Sequence, residues 1–422
     1  MSLRNRELLN LVVVGILTGT GFASVYIARQ AEISTASLSY AAFFVALYLL
    51  AHAVARFAVP YADPYLLPIA ALLTAIGLTE IYRLEPTDAF RQGLWVVVGV
   101  AAFAGTLLAL RRDYRILESY KYLFGLAAVV LLILPALPVI GRSVNGARLW
   151  VALGPLQFQP GELAKLFLIV FLAGYLREKR EVLAEGRIKD FGPLLVIWGA
   201  AMAVLVQTND LGSALLYFGI FLGMLYVATA RALFAAAGLA LFVAGAAAAY
   251  RVVPRVGDRV SIWLDPWADA QGRGYQVIQS IYSIAKGGFG GAGLGQGTFT
   301  SPGGAQLIPE LNTDFIYAAI AQELGLIGAS ALLLLYMLFI VRGFRTALLA
   351  SDGFSKLLAA GLTFGFAVQT FIIIGGIVRL MPLTGITLPF VSYGGSSVVA
   401  NFVLLAGLLL VSNRANALRS RA

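Results

Sequence analysis

Uninterrupted apolar runs of about 18–25 residues recur along this chain, the length a helix needs to cross a hydrocarbon core. They lie near residues 8–28, 38–58, 65–83, 92–110, 121–140, 160–176, 191–207, 211–228, 232–250, 313–341, 357–378 and 388–411, about twelve in all. Inside a bilayer every backbone N–H and C=O must find its partner within the protein, so each run is expected to be a helix. A closed β-barrel would instead show weak alternation over about 10 residues per strand, and the sequence lacks that pattern. Composition agrees, with 60% hydrophobic and 12% charged residues, against roughly 25% charged in a soluble domain. The fold class expected is an all-α polytopic membrane protein.

The same sequence narrows the chemistry. With no cysteine, disulfides, thiolate metal sites and thiol nucleophiles are excluded, and with His52 as the only histidine so are histidine triads. Acid–base work falls to carboxylates, lysine or tyrosine. The net charge of +10 would suit nucleic acid if it were clustered. Most of the basic residues instead fall in alternate connections, as the positive-inside rule requires, so no nucleic-acid partner is expected. That bias puts both termini in the cytoplasm and residues 251–312, the one large loop, outside. The first apolar run has no convincing cleavage signal and reads as a retained helix.

Charges placed against this apolar background are the informative ones. Asp314, in Pro309-Glu-Leu-Asn-Thr-Asp-Phe315, stands at the entrance to a long apolar run. It is either a first-turn acid favoured by the positive helix end, by about 0.3–1 kcal/mol, or a functional carboxylate. Glu162 and Lys165 share a helix face within a span, which fits a simple ion pair or a charged cavity wall. Asp210 reads as a helix cap. The run Gly287–Gly297 follows no strand and lacks a Gly-Lys-Ser/Thr ending, so close backbone packing or a flexible lid suits it better than phosphate binding. Segments 142–165, 251–323 and 379–397 are all polar or irregular and fall on one side, which predicts a cavity there.

Five motifs in order, Asn145-Gly-Ala-Arg148, Gln159-Pro-Gly-Glu-Leu-Ala-Lys165, Gly274-Tyr-Gln-Val-Ile-Gln-Ser280, Asn312-Thr-Asp-Phe315 and Pro389-Phe-Val-Ser-Tyr-Gly-Gly-Ser-Ser397, resemble the SEDS proteins. These are the RodA, FtsW and SpoVE membrane glycosyltransferases that polymerise peptidoglycan from lipid II. The resemblance runs from about residue 120 to 412. It implies a helical core at 65–250 and 313–412, the extracytoplasmic loop at 251–312, and an extra helix pair at 1–64 like that of actinobacterial elongation-type RodA. Gly161, Asn209 and Asn312 depart from residues common in the family.

The resemblance implies that Asp314 is the catalytic aspartate, that Glu162 and Lys165 are the charged pair lining the central cavity, and that Arg148 is the arginine of the outer-loop motif. Gln306, Arg379, Ser392 and Ser396 are further candidates for binding substrate. Lys165, Arg148 and Arg379 are expected to meet the diphosphate. Also implied are a divalent cation (Mg²⁺ or Mn²⁺) with unknown ligands, a class B penicillin-binding transpeptidase partner and other membrane proteins of the elongation complex. A lipid II flippase, a non-catalytic scaffold and a division-type FtsW are the alternatives.

Overall fold

The computed structural model describes residues 2–30, 35–144, 147–153, 156–184, 192–301 and 306–420. Helices α1 (Leu3–Gln30) and α2 (Thr35–Ala58) form an N-terminal hairpin. A tight turn leads to α3 (Leu66–Leu84) and α4 (Pro86–Leu110), the latter opened by a proline where the missing N–H would be unpaired anyway. A single turn, α5 (Ile116–Ser119), precedes α6 (Lys121–Ile133). Three antiparallel strands follow, β1 (Gly141–Val144), β2 (Ala147–Leu153) and β3 (Leu156–Phe158), with Val151 opposite both Gly141 and Phe158. The chain then runs through α7 (Pro160–Glu178), α8 (Arg180–Ala184), α9 (Gly192–Gln207), α10 (Leu211–Thr229) and α11 (Ala232–Val252). Two shorter helices, α12 (Pro254–Leu264) and α13 (Tyr275–Gly287), occupy the large loop. The long helices α14 (Ile316–Leu349), α15 (Gly353–Ile377) and α16 (Gly395–Arg419) complete the fold.

Among the described residues, nine helices are long and apolar enough to cross a membrane, and α6 and α9 are shorter apolar helices. With the charged α7, each expected span falls on a helix, and the chain is a multi-pass membrane protein. The boundaries differ where the backbone has other uses. The run expected at 121–140 ends as helix at Ile133, giving way to a 3₁₀ turn and then β1. The run expected at 388–411 starts its helix only at Gly395, because residues 388–394 form an irregular turn against the site. The small sheet was not expected, and it adds a β element to an otherwise helical molecule.

Of the nine long apolar helices, α3, α15 and α16 are the most buried. Phe390, in the irregular turn, lies between the rings of Phe366 (6.2 Å) and Phe402 (5.4 Å) and ties that turn to α15 and α16. Such close packing, more than removal from water, holds helices together in lipid. By contrast α11 buries no residue and packs chiefly on α10 and α12.

At one end of the bundle the chain's beginning, its α2–α3 turn and the end of α16 meet. Glu7 accepts from Arg4 (2.6 Å) and pairs with His52 Nδ1 (2.7 Å), while Arg4 also donates to the Ala62 carbonyl. Tyr61 and Asp63 amides donate to Asn413 and Ser412, and Asp63 is paired with Arg342 of α14. Asp314 lies beyond the opposite end of α14, roughly 40 Å away at 1.5 Å per residue.

The glycine run is packing, not a lid. Helix α14 breaks at Gly325 (φ 64), and the run threads the break. Ala292 and Gly293 amides donate to the Gln322 and Glu323 carbonyls, and Leu326 and Ile327 amides donate to Gly288 and Phe289. The Glu323 carboxylate accepts the amides of Gly295 (2.5 Å) and Gly297 (3.0 Å). A Cβ on Gly291, itself at φ +83, would sit 2.2 Å from the Glu323 carbonyl oxygen, so only glycine fits.

Candidate active site

The Asp314 turn is held from two sides. Phe315 is fully buried, anchoring the start of α14. The irregular turn before α16 grips the backbone, since Ser392 Oγ donates to the Thr313 carbonyl (2.6 Å) and the Tyr393 amide to that of Asn312 (2.9 Å). Ser392 Oγ also accepts the Leu388 amide (3.0 Å), so its hydroxyl is fully engaged within the protein. The Asn312 side chain donates to Asp88 (2.8 Å), which in turn faces Arg91 of α4 (3.5 Å).

Asp314 lies where two cavities meet. The larger, of about 760 Å³, is lined by Arg91, Trp95, Trp150, Glu162, Arg255 and Tyr393 among others. The smaller, of about 390 Å³, is lined by Trp263, Arg273, Gln276, Arg379, Met381 and their neighbours. Arg259, Glu310, Asp314 and Gly385 belong to both. Gly385, at φ +74, lets the chain pass close: a Cβ there would lie 3.6 Å from Asp314 Oδ2 and 3.8 Å from an Arg259 guanidinium nitrogen. Acid and guanidinium therefore flank one point.

Although the surface of Asp314 is only partly covered, the protein packed around it strips its carboxyl of water. Burial, reinforced by the nearby Glu310 charge and opposed by Arg259, pushes it up to about 7. A carboxylate so poised is half ionised at neutral pH and suited to general-base work.

Residues 65–417 match the FtsW/RodA/SpoVE family model, described as cell cycle protein. The chain belongs to this family. Mycobacterium tuberculosis peptidoglycan glycosyltransferase RodA is 42% identical, the match covering 98% of this chain and 91% of the relative. Bacillus subtilis stage V sporulation protein E is 36% identical over 83% of this chain and 96% of its own. The mycobacterial RodA match thus takes in the N-terminal hairpin as well as the core. Among solved structures, a chain of a peptidoglycan synthase complex, concerned with the coordination of polymerization and crosslinking, superposes with a TM-score of 0.70 at 31% identity, over 84% of this chain and 98% of that one. Thermus thermophilus rod shape determining protein RodA gives 0.60 at 27% identity, over 84% and 97%.

The motifs shared with the FtsW/RodA/SpoVE family do not all face the cavities. Glu162 lines the larger cavity and is bound by Lys165 Nζ (2.8 Å), which also donates to Gln369 Oε1 (2.6 Å). Gln369 passes the contact on to the Thr387 carbonyl (2.9 Å), so Lys165 braces the floor from behind. Arg148 is exposed on β2, and its neighbours Ala147, Leu149 and Trp150 line the cavity while its own side chain does not. Asn145 and Gly146 of that motif lie outside the described residues. Arg379 lines the smaller cavity, its guanidinium donating to the Trp263 and Leu264 carbonyls and lying 5.2 Å from the Trp267 ring centre. Ser396 accepts the Gln159 amide (2.8 Å) and joins the start of α7 to α16. Gln306 is exposed, in a bridge with Thr300, and lines neither cavity. Asp210 caps α10 by accepting the Ser213 amide (3.0 Å) and also faces the larger cavity.

Arg91, Arg255 and Arg259 were not singled out from sequence. For the latter two a signal existed: they stand four apart just after Pro254, on one face of a helix. Among the described residues, no three carboxylate or histidine groups gather as a metal would need.

Proposed function

We propose that this chain is a peptidoglycan glycosyltransferase of the elongation type, polymerising lipid II into β-1,4 glycan with release of polyprenyl diphosphate. The observation that carries the reading is Asp314, a desolvated carboxyl at the junction of two cavities, in a chain 42% identical over nearly its full length to a relative bearing that name.

The chemistry needs one acid–base group. A diphosphate departs without a proton, so no general acid is required, whereas the acceptor 4-hydroxyl must lose its proton as it attacks. Asp314 takes that proton, and the acceptor oxygen attacks the donor C1 from the face opposite the diphosphate, inverting the centre. Two cavities that meet at Asp314 suit two substrates brought to one point, which lowers the entropic part of the barrier. Glu162, fixed by Lys165, shapes the floor.

In the membrane both termini are cytoplasmic and the Asp314 end faces outward, where lipid II is displayed. The positive-inside bias supports this, as does the meeting of both termini at the far end of the bundle. A class B penicillin-binding transpeptidase is the partner we propose, supported by the likeness to a synthase complex that couples polymerization and crosslinking.

The test is gel analysis of glycan made from lipid II by purified protein. Asp314→Ala should make no polymer while still unfolding in a single cooperative thermal transition. Polymer from that variant would remove Asp314 as the base; lipid II translocation by the wild type without glycan would make the protein a flippase.

A further inference from the structure

The cations expected from sequence to meet the diphosphate have other employment. Lys165 is bound between Glu162 and Gln369, Arg148 does not line the cavity, and Arg379 is tied to two carbonyls of the 263–264 segment. The larger cavity nevertheless has a basic wall, supplied by a helix in the loop. Arg255 and Arg259 stand one turn apart on α12, and both line the cavity, as does Arg91 of α4.

Two like charges at that spacing repel, by roughly 0.2–0.5 kcal/mol even on an exposed helix. Here Arg259 is also half-buried, with Nη1 held by the Thr384 carbonyl (2.9 Å). Burial first, and then the neighbouring Arg255 charge, lower its hold on its proton. Asp314 and Asp210 offset this in part, and an anion bound in the cavity would offset it further. A planar guanidinium fork matches two phosphate oxygens at once, as a lysine ammonium does not.

The position selects which anion. The same cavity reaches Leu94 and Val98, apolar side chains exposed on α4, and the indoles Trp95 and Trp150. A phosphate attached to a lipid tail can enter from that rim with its tail still in the membrane. Its other end then lies beside Gly385, against which Asp314 and Arg259 both sit.

We infer that Arg255 and Arg259 form the subsite for the diphosphate of a lipid-linked sugar donor. The inference rests on the glycosyltransferase reading above. In the step it serves, the acceptor O–C1 bond forms, the C1–O bond to phosphate breaks, and its electron pair leaves with the diphosphate. The acceptor proton goes to Asp314. The added negative charge then appears beside Arg259, where it is worth most. The acceptor is left the smaller cavity, whose Trp263 offers a sugar ring an apolar face.

The test measures binding separately from catalysis. Farnesyl diphosphate, farnesyl monophosphate, inorganic pyrophosphate and farnesol are titrated into full-length protein in nanodiscs, for wild type, Arg255→Gln/Arg259→Gln, Arg255→Lys/Arg259→Lys and Asp314→Asn. The glutamine pair should weaken farnesyl diphosphate at least about 50-fold and leave farnesol unchanged, and the lysine pair should fall between. Asp314→Asn should bind at least as tightly as wild type while making no glycan. Retained farnesyl diphosphate affinity in the folded glutamine pair would overturn the proposal, as would equal binding of farnesol and farnesyl diphosphate by wild type. Pyrophosphate binding lost in step with farnesyl diphosphate supports a site for the phosphates themselves. Glycan made by Asp314→Asn would sink the base assignment and leave this binding result standing.

Discussion

At the scale of single residues the decisive property is the protonation of Asp314. The base we propose works only when ionised, and burial holds its carboxyl at about 7. Polymerisation at limiting substrate should fall about tenfold per pH unit below that point and level off above it. Stability must move the opposite way. A carboxyl near 4 in the unfolded chain and near 7 in the fold resists ionisation only in the fold. The penalty is absent below pH about 4, grows up to about 7, and is constant above. Asp314→Asn should therefore gain thermal stability over wild type between pH 5 and 8; a melting difference that does not change with pH would contradict the shift. Asp314 stood out in sequence as a carboxylate at the start of an apolar run, but a first-turn acid explained it equally well until the neighbouring motifs were read with it. Arg259 did not stand out. In sequence it is one more charge in an outer loop, and only the fold brings it to Gly385, over a hundred residues on.

Elements carry the second lesson. Almost every apolar run became a helix because length and lipid leave no other choice, but the breaks between runs obey local pairing that sequence states weakly. The strands β1, β2 and β3 are short and lack the strict alternation that marks a strand. Gly325 sits within an apolar run, where a glycine usually signals nothing more than tolerated helix, yet it carries the break that receives the 287–297 run. Alanine there would face a left-handed backbone, costing about 1–2 kcal/mol, and its Cβ would meet the Gly291 nitrogen at 2.3 Å. Gly325→Ala should thus lose at least about 2 kcal/mol of stability, with faster amide exchange at Leu326 and Ile327, whose acceptors lie in the run. It should also reduce polymerisation, because the break lies about three turns along the helix that Asp314 precedes. Unchanged exchange at those two amides would show that the seam is not what holds the break.

For the molecule as a whole, topology was readable and the site's composition only in part. Charge bias puts both termini on one side, and the Arg4–Glu7–His52 cluster with its neighbours does join the chain's start to its end there. The convergence of three polar segments at the other end foretold a cavity. Which side chains face it depended on turns such as 384–394 that no periodicity encodes. One helix gives this architecture a dependence on its surroundings. Having no buried residue, α11 is positioned by lipid as much as by protein, and it continues through Val253 and Pro254 into the helix that bears Arg255 and Arg259. Its 21 residues extend about 31 Å, close to the thickness of a hydrocarbon core. A thinner or thicker bilayer must tilt or stretch that fit, and the movement is delivered to the arginine wall. Turnover in vesicles of graded acyl length should peak near a matched thickness and fall on either side, while Asp314→Ala stays inactive throughout. Membrane thickness thereby becomes a setting of the enzyme, transmitted by a helix that touches no substrate.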